Sequence, residues 1–207
     1  MAALSYNKAV SDADGTIGEE LLSGVANYIF PQLTWQQRQD GEQLYKKVYL
    51  TDIVDVSALH IGILNDGLYE WSLIEAASDA QIATDLTGSE RKYGAASIVQ
   101  SSTNQVVINN PTRTLFYDND KVSWWDDLDN DIMVDITTVT DNGDGTSTLT
   151  FASPVHDVDS AGLVISSMVP MPLLANTPKS FWVETTVLAA SAFIDTVESM
   201  RLLLKGS

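Results

Sequence analysis

The sequence predicts a mainly β protein, an antiparallel β-sandwich or partly closed barrel with an N-terminal arm containing short helices. Short apolar stretches recur with period-two alternation or as brief continuous runs, as strands require. Clusters of Asn, Asp, Gly and Pro separate them at turn-like intervals. Many short strands between frequent turns point to a sandwich or barrel rather than a βαβ sheet. The arm is read over residues 1–42 and the β-rich domain over residues 43–207, with an interaction loop near residues 76–96.

Residues 1–16 are small and polar and define no element. From Ile17, the positions Leu21, Leu22, Val25, Ala26 and Ile29 recur near helical spacing, which predicts a short amphipathic helix ending before Pro31. Thr34 followed by Gln37 is a capping-box pattern that opens a second short helix over Trp35 to Asp40, closed at Gly41. The period then changes. Leu44, Lys46, Val48 and Leu50 alternate with Tyr45, Lys47, Tyr49 and Thr51 as a half-buried strand. Residues 58–64 and 69–74 are the next strands, expected to form a hairpin about Asn65-Asp66-Gly67. Residues 76–86 read as a loop or one helical turn.

Further short strands are expected over residues 106–108, 114–117 and 121–124, separated by the turn compositions Asn109-Asn110-Pro111 and Asp118-Asn119-Asp120. Residues 132–140 and 146–152 flank Asp141-Asn142-Gly143-Asp144-Gly145, where glycines permit the reversal of a hairpin. Residues 163–169, 180–188 and 200–205 complete the strands. In the second of these, Phe181, Val183, Thr185 and Val187 share one face and Trp182, Glu184 and Thr186 the other.

The chain has 207 residues, enough to bury a sizeable core, and one domain, or one domain plus an arm, is expected. Its 11 basic against 28 acidic residues leave a net charge of −17, which repels phosphate backbones and anionic membranes, so neither nucleic acid nor membrane is an expected partner. No stretch approaches the roughly 18 apolar residues of a membrane-spanning helix, and export through a signal peptide is not expected. There is no cysteine, which excludes disulfides and thiolate metal sites. Charge is unevenly spread. No Lys or Arg lies between Lys121 and Lys179, whereas Lys46, Lys47, Arg91 and Lys92 sit in the earlier half. A head-to-tail contact between copies, or a contact with a basic neighbour, would pair these unlike surfaces.

Catalytic chemistry has little to stand on. Only His60 and His156 could act as imidazole bases, and neither lies in a nucleophile motif; His60 reads as a packed or edge strand residue and His156 as a turn residue. No phosphate-binding glycine loop is present. Asp127, Asp129 and Asp131 alternate, and Asp141 with Asp144 crowds a turn, but the EF-hand order is incomplete, so no metal or cofactor is expected. Trp124 and Trp125 point to opposite faces of a strand, one into the core and one outward, where it can serve as a glycan-stacking platform or a partner contact. Trp35, Trp71 and Trp182 are expected to pack.

The run Thr87-Gly88-Ser89-Glu90-Arg91-Lys92-Tyr93-Gly94-Ala95 places two of the few cations in a glycine-flanked turn. Together with Asn27-Tyr28-Ile29-Phe30-Pro31, Thr34-Trp35-Gln36-Gln37-Arg38 and Gly41-Glu42-Gln43-Leu44-Tyr45-Lys46-Lys47-Val48-Tyr49, it resembles virion structural proteins of tailed bacteriophages and Mu-like prophages over roughly the first half of the chain. Residues 124–167 depart from that pattern. The resemblance implies a non-enzymatic component of the tail, baseplate, head-tail junction or capsid exterior, assembled in the host cytoplasm, with other virion proteins as partners and a homo-oligomeric state. Phe30, Lys46, Lys47, Arg91, Lys92 and Tyr93 are the expected interface residues, Arg91 and Tyr93 being the preferred anchors because Arg and Tyr are enriched at binding hot spots. The rival expectation is a host-glycan-binding module built on Trp124 or Trp125. A cell-wall hydrolase ranks last.

Overall fold

The structure, a computed structural model, describes residues 5–9, 17–20, 34–52, 55–64, 70–110, 114–125, 131–155, 162–187, 189 and 201–206. Strands β1 (Ser5–Ala9) and β2 (Ile17–Glu20) are antiparallel, and β1 pairs with β3 (Glu42–Thr51) from Ser5 opposite Thr51 to Lys8 opposite Val48. This corrects two expectations, that residues 1–16 define no element and that a helix starts at Ile17. An edge ladder needs only backbone partners, so pairing with β3 overrides a weak local period. The rest of that expected helix lies outside the described residues. Helix α1 (Trp35–Asp40) forms as its capping box dictates: Thr34 N–H donates to Gln37 Oε1 at 2.8 Å and Gln37 N–H to Thr34 Oγ1 at 3.2 Å. Gly41, at φ +77°, ends it.

β4 (Leu59–Leu64) and β5 (Glu70–Glu75) follow as expected in position but not in pairing. They do not form a hairpin. β4 and β5 lie in different sheets, and Asn65-Asp66-Gly67 is outside the described residues. Both strands are buried on both faces, and crossing between layers satisfies that where a hairpin would leave one face wet. A single 3-10 turn (Ala83–Asp85) interrupts the loop that leads to β6 (Lys92–Tyr93), then come β7 (Ala95–Ser102) and β8 (Gln105–Asn109). β7 was not foreseen, and the strand expected over residues 114–117 is irregular instead. β9 (Lys121–Trp125), β10 (Asp131–Asp141), β11 (Thr146–Phe151), β12 (Val164–Pro170), β13 (Lys179–Val187) and β14 (Arg201–Gly206) match expectation within a residue or two. The β10–β11 hairpin is in register from Asp141 opposite Ser147 to Thr138 opposite Thr150, then shifts so that Ile136 meets Phe151, with Gly143 and Gly145 at positive φ in its turn.

Two bodies of sheet result. β12, β7, β8, β11, β10 and β9 pair in that cyclic order, and β9 returns to β12, closing a six-stranded antiparallel barrel. β3, β13, β5 and β6 form a four-stranded antiparallel layer, which β1 and β2 extend at the β3 edge. The β4–β14 pair continues from the far end of β12, where Val169 and Pro170 meet Ile61 and His60. Two apolar cores follow. The first packs Val48, Leu50, Leu73, Phe181 and Val183 of the layer against Ile61, Ile63 and Val169. The second fills the barrel with Ile98, Val106, Ile108, Val122, Trp124, Leu149, Phe151 and Ile165. Each such side chain contributes about 1.5–3 kcal/mol on full burial.

β6 passes into β7 through Gly94, where the chain leaves the layer for the barrel. Its N–H donates to Ser167 Oγ at 2.9 Å, and a Cβ there would lie 2.6 Å from Leu115 Cδ1 and 3.1 Å from the Trp71 carbonyl oxygen. Glycine is required by this close approach.

Candidate functional site

The expected interaction loop, near residues 76–96, begins as an arch from the end of β5 to β6 that is tied down from beneath by the four-stranded layer. Lys47 and Trp182 are register partners on β3 and β13 and face outward, away from the first core. The Lys47 side chain is fully buried under the loop. Its ammonium donates to the Asp79 carbonyl at 2.7 Å and to the Gln81 carbonyl, and sits 4.8 Å from the centre of the Trp182 ring. Gln81 Oε1 accepts from Trp182 Nε1 at 3.1 Å and from Ala77 N–H at 2.9 Å, and Ser180 Oγ donates to Asp79 Oδ1 at 2.8 Å. An ammonium without its hydration shell must be supplied with acceptors, and the loop's carbonyls supply them.

The tip is locally organised. Glu90 accepts from Thr87 N–H at 2.8 Å and from Gly88 N–H at 2.9 Å, and Gly88 takes φ +80°. These backbone donors, that of Thr87 first, hold the Glu90 carboxyl below its ordinary range. Beyond it, Arg91 pairs with Asp120 of the turn before β9 and lies against two rings, its guanidinium carbon 3.9 Å from the centre of Tyr117 and 4.7 Å from Tyr93. Burial pushes the Asp120 carboxyl above its ordinary range, against the opposing pull of Arg91. Lys92 donates to the fully buried Glu184 at 3.0 Å, and Ser72 Oγ donates to the same carboxylate at 2.6 Å.

Several expected interface residues are therefore engaged within the chain. Lys47 is buried rather than part of a basic surface, Lys92 is neutralised by Glu184, and Tyr93 is 8% exposed, in the first core. These placements correct the reading of a cationic patch. A long aliphatic stem lets lysine enter a sheet interior when its head meets oxygen, and no local pattern announces that. Arg91 keeps a third of its side chain in solvent, Lys46 is half-buried, and Phe30 lies outside the described residues.

The tryptophans divide. Trp124 is buried in the barrel, 5.7 Å from Phe151 between ring centres, and Trp125 is 48% exposed, as strand alternation requires. They cannot form one platform. Lys205 of β14 pairs with Asp131 and places its ammonium 5.4 Å from the centre of the Trp125 ring; burial pulls it down to about 8. Trp71 and Trp182 pack as expected, but Trp35 on α1 is 73% exposed, which corrects the third of those readings. A six-residue helix with no buried residue offers its indole nothing to pack against. His60 is half-buried on β4 with Nδ1 3.1 Å from the Ala58 carbonyl oxygen, and His156 is outside the described residues.

Between the two ends of the loop lies a groove of about 380 Å³ lined by Ile74, Glu75, Ala76, Ala77, Glu90, Arg91 and Tyr93. It holds two carboxylates: Glu90, whose backbone donors favour its ionised form, and Glu75, paired with Lys179 at 3.1 Å. Among the described residues no group of three or more His, Asp or Glu is arranged to hold a metal ion. The groove sets the apolar Ile74, Ala76 and Ala77 beside the charged Glu75, Glu90 and Arg91. Comparison with protein families, curated proteins and solved structures finds no match to this chain.

Proposed function

We propose that the chain is a non-enzymatic structural component of a tailed bacteriophage particle, acting through contacts with neighbouring virion proteins and with further copies of itself. The observation that carries this reading is the distribution of charge. Among the described residues Lys47, Arg91, Lys92, Lys121, Lys179 and Lys205 turn to oxygen acceptors of their own chain, while Asp118, Asp141 and Asp144 stand at the surface. With the net charge of −17, this supports a predominantly acidic exterior, which steers and selects basic neighbours and repels phosphate and anionic lipid. The exposed Trp35 and the loop at residues 87–94 supply contact area beside it, and the sequence resemblance gives the kind of particle. Its place there is the tail, baseplate, head-tail junction or capsid exterior. Mass spectrometry of virions purified through a density gradient tests the reading: the chain should be present at a fixed copy number per particle, and its absence from particles, with substrate turnover by the pure protein, would refute it.

The alternative, a host-glycan-binding module, rests on Trp125, exposed at the end of the barrel beside Asp131. It predicts glycan-array binding that disappears in Trp125→Ala while particle assembly is unchanged.

A further inference from the structure

The turn that joins β10 to β11 carries the single Asn-Gly pair of the chain, Asn142-Gly143, and every residue from Asp141 to Gly145 is exposed. Asparagine before glycine brings a side-chain carbonyl carbon within reach of the next main-chain nitrogen, with no Cβ on the glycine to obstruct the approach. Gly143 takes φ +75°, and among the described residues nothing beyond its chain neighbours lies within 4 Å of where a Cβ would stand. The nitrogen is open on that side.

The Asn142 carboxamide, by contrast, is held at both ends. Its Nδ2 donates to Thr146 Oγ1 at 2.8 Å, and its Oδ1 accepts from Thr148 Oγ1 at 3.2 Å. Gly143 N–H donates to Asp141 Oδ1 at 2.9 Å, away from that carboxamide's partners. The next pair, Asp144-Gly145, offers the same glycine but a poorer electrophile. The Thr146 hydroxyl and then its N–H hold the Asp144 carboxyl below its ordinary range, and an ionised carboxylate resists a nucleophile that a neutral carboxamide accepts.

We infer that Asn142 is a self-modifying site, converted to aspartate and isoaspartate at a rate governed by the hydroxyls of Thr146 and Thr148. The Gly143 nitrogen gives its proton to solvent base and bonds to Asn142 Cγ. The Cγ–Nδ2 bond breaks and ammonia leaves with a proton from water, closing a succinimide. Water then opens the ring at Cγ to give aspartate, or at the main-chain carbonyl carbon to give isoaspartate, whose main chain runs through Cβ. The net exchange is one water for one ammonia. Ring closure requires the carboxamide to leave its threonine partners, so those two bonds slow the reaction. Each event adds a negative charge beside Asp141 and Asp144, and isoaspartate lengthens the turn inside the Asn142 N–H to Thr146 carbonyl bond of 3.0 Å. The site stands apart from the assembly reading.

The full chain, aged in mildly alkaline buffer, is mapped by peptide mass spectrometry, with isoaspartate identified by electron-transfer fragmentation. Conversion should appear at Asn142 before any other asparagine, and more slowly than in the free peptide of residues 138–150. Thr148→Val, which removes the donor to Oδ1, should accelerate it by about fivefold, the worth of one hydrogen bond, whereas Thr148→Ser should keep the native rate. Should Thr148→Val fail to fold by circular dichroism, Thr146→Val replaces it with the same expected acceleration. No conversion at Asn142, earlier conversion at another asparagine, a native rate equal to that of the peptide, or an unchanged rate in a folded valine variant would each overturn the inference.

Discussion

At the scale of single residues, the charged groups that matter are those withdrawn from water. Lys47 has carbonyl acceptors and an aromatic face, and Glu184 has an ammonium and a hydroxyl, so each buried charge is compensated rather than stranded. Removing one partner of such a pair costs about 3–5 kcal/mol, whereas replacing both with apolar groups costs far less. Two carboxyls at either end of the loop's exit respond to their surroundings in opposite directions. NMR titration should place Glu90 below its ordinary 4.5 and Asp120 above its ordinary 3.8. The signs follow by linkage. Glu90 contributes stability that is full above 4.5 and lost as pH falls through its lower folded value, while Asp120 opposes folding increasingly as pH rises from 3.8 to its raised folded value. Arg91→Ala should raise Asp120 further, and an unchanged Asp120 would show that the guanidinium does not face it.

At the scale of elements, local chemistry and long-range packing divide the work unequally. α1 is written almost entirely in its own residues, since Thr34, Gln37 and Gly41 start and stop it without help from the core. β7 is the opposite case: Ala95-Ala96-Ser97 carries no strong apolar alternation, and the strand exists because β8 and β12 pair with it on its two sides. Gly94, at the entry to β7, and Gly62, on β4, show how little room sheet packing leaves. At Gly62 the nearest obstacle to a Cβ is the Met168 sulfur at 2.5 Å, on a flexible side chain; at Gly94 the obstacles include main chain. Gly94→Ala should therefore cost about 1–3 kcal/mol and Gly62→Ala less, by urea unfolding of each variant. Equal costs would mean that the layer-to-barrel passage at Gly94 relaxes freely.

At the scale of the whole molecule, β12 belongs to both bodies, contributing Ile165 to the barrel core and Val169 to the core beneath the layer. Unfolding one core strips that strand from the other. Tryptophan fluorescence and far-ultraviolet circular dichroism should accordingly report one coincident transition, and Ile108→Ala, deep in the barrel, should lower it in both probes by about 2–5 kcal/mol. Two separated transitions would show that the bodies fold independently. Read by itself, the chain determined its β class, the capped helix, the β10–β11 hairpin, the positions of most strands and the split between Trp124 and Trp125, because alternation and turn composition are local quantities. It could not determine that β4 and β5 part company, that the barrel closes through β9 and β12, or that Lys47 and Lys92 turn inward. Each of those depends on which distant surface a strand meets, and a period-two pattern specifies that a face is buried without specifying against what.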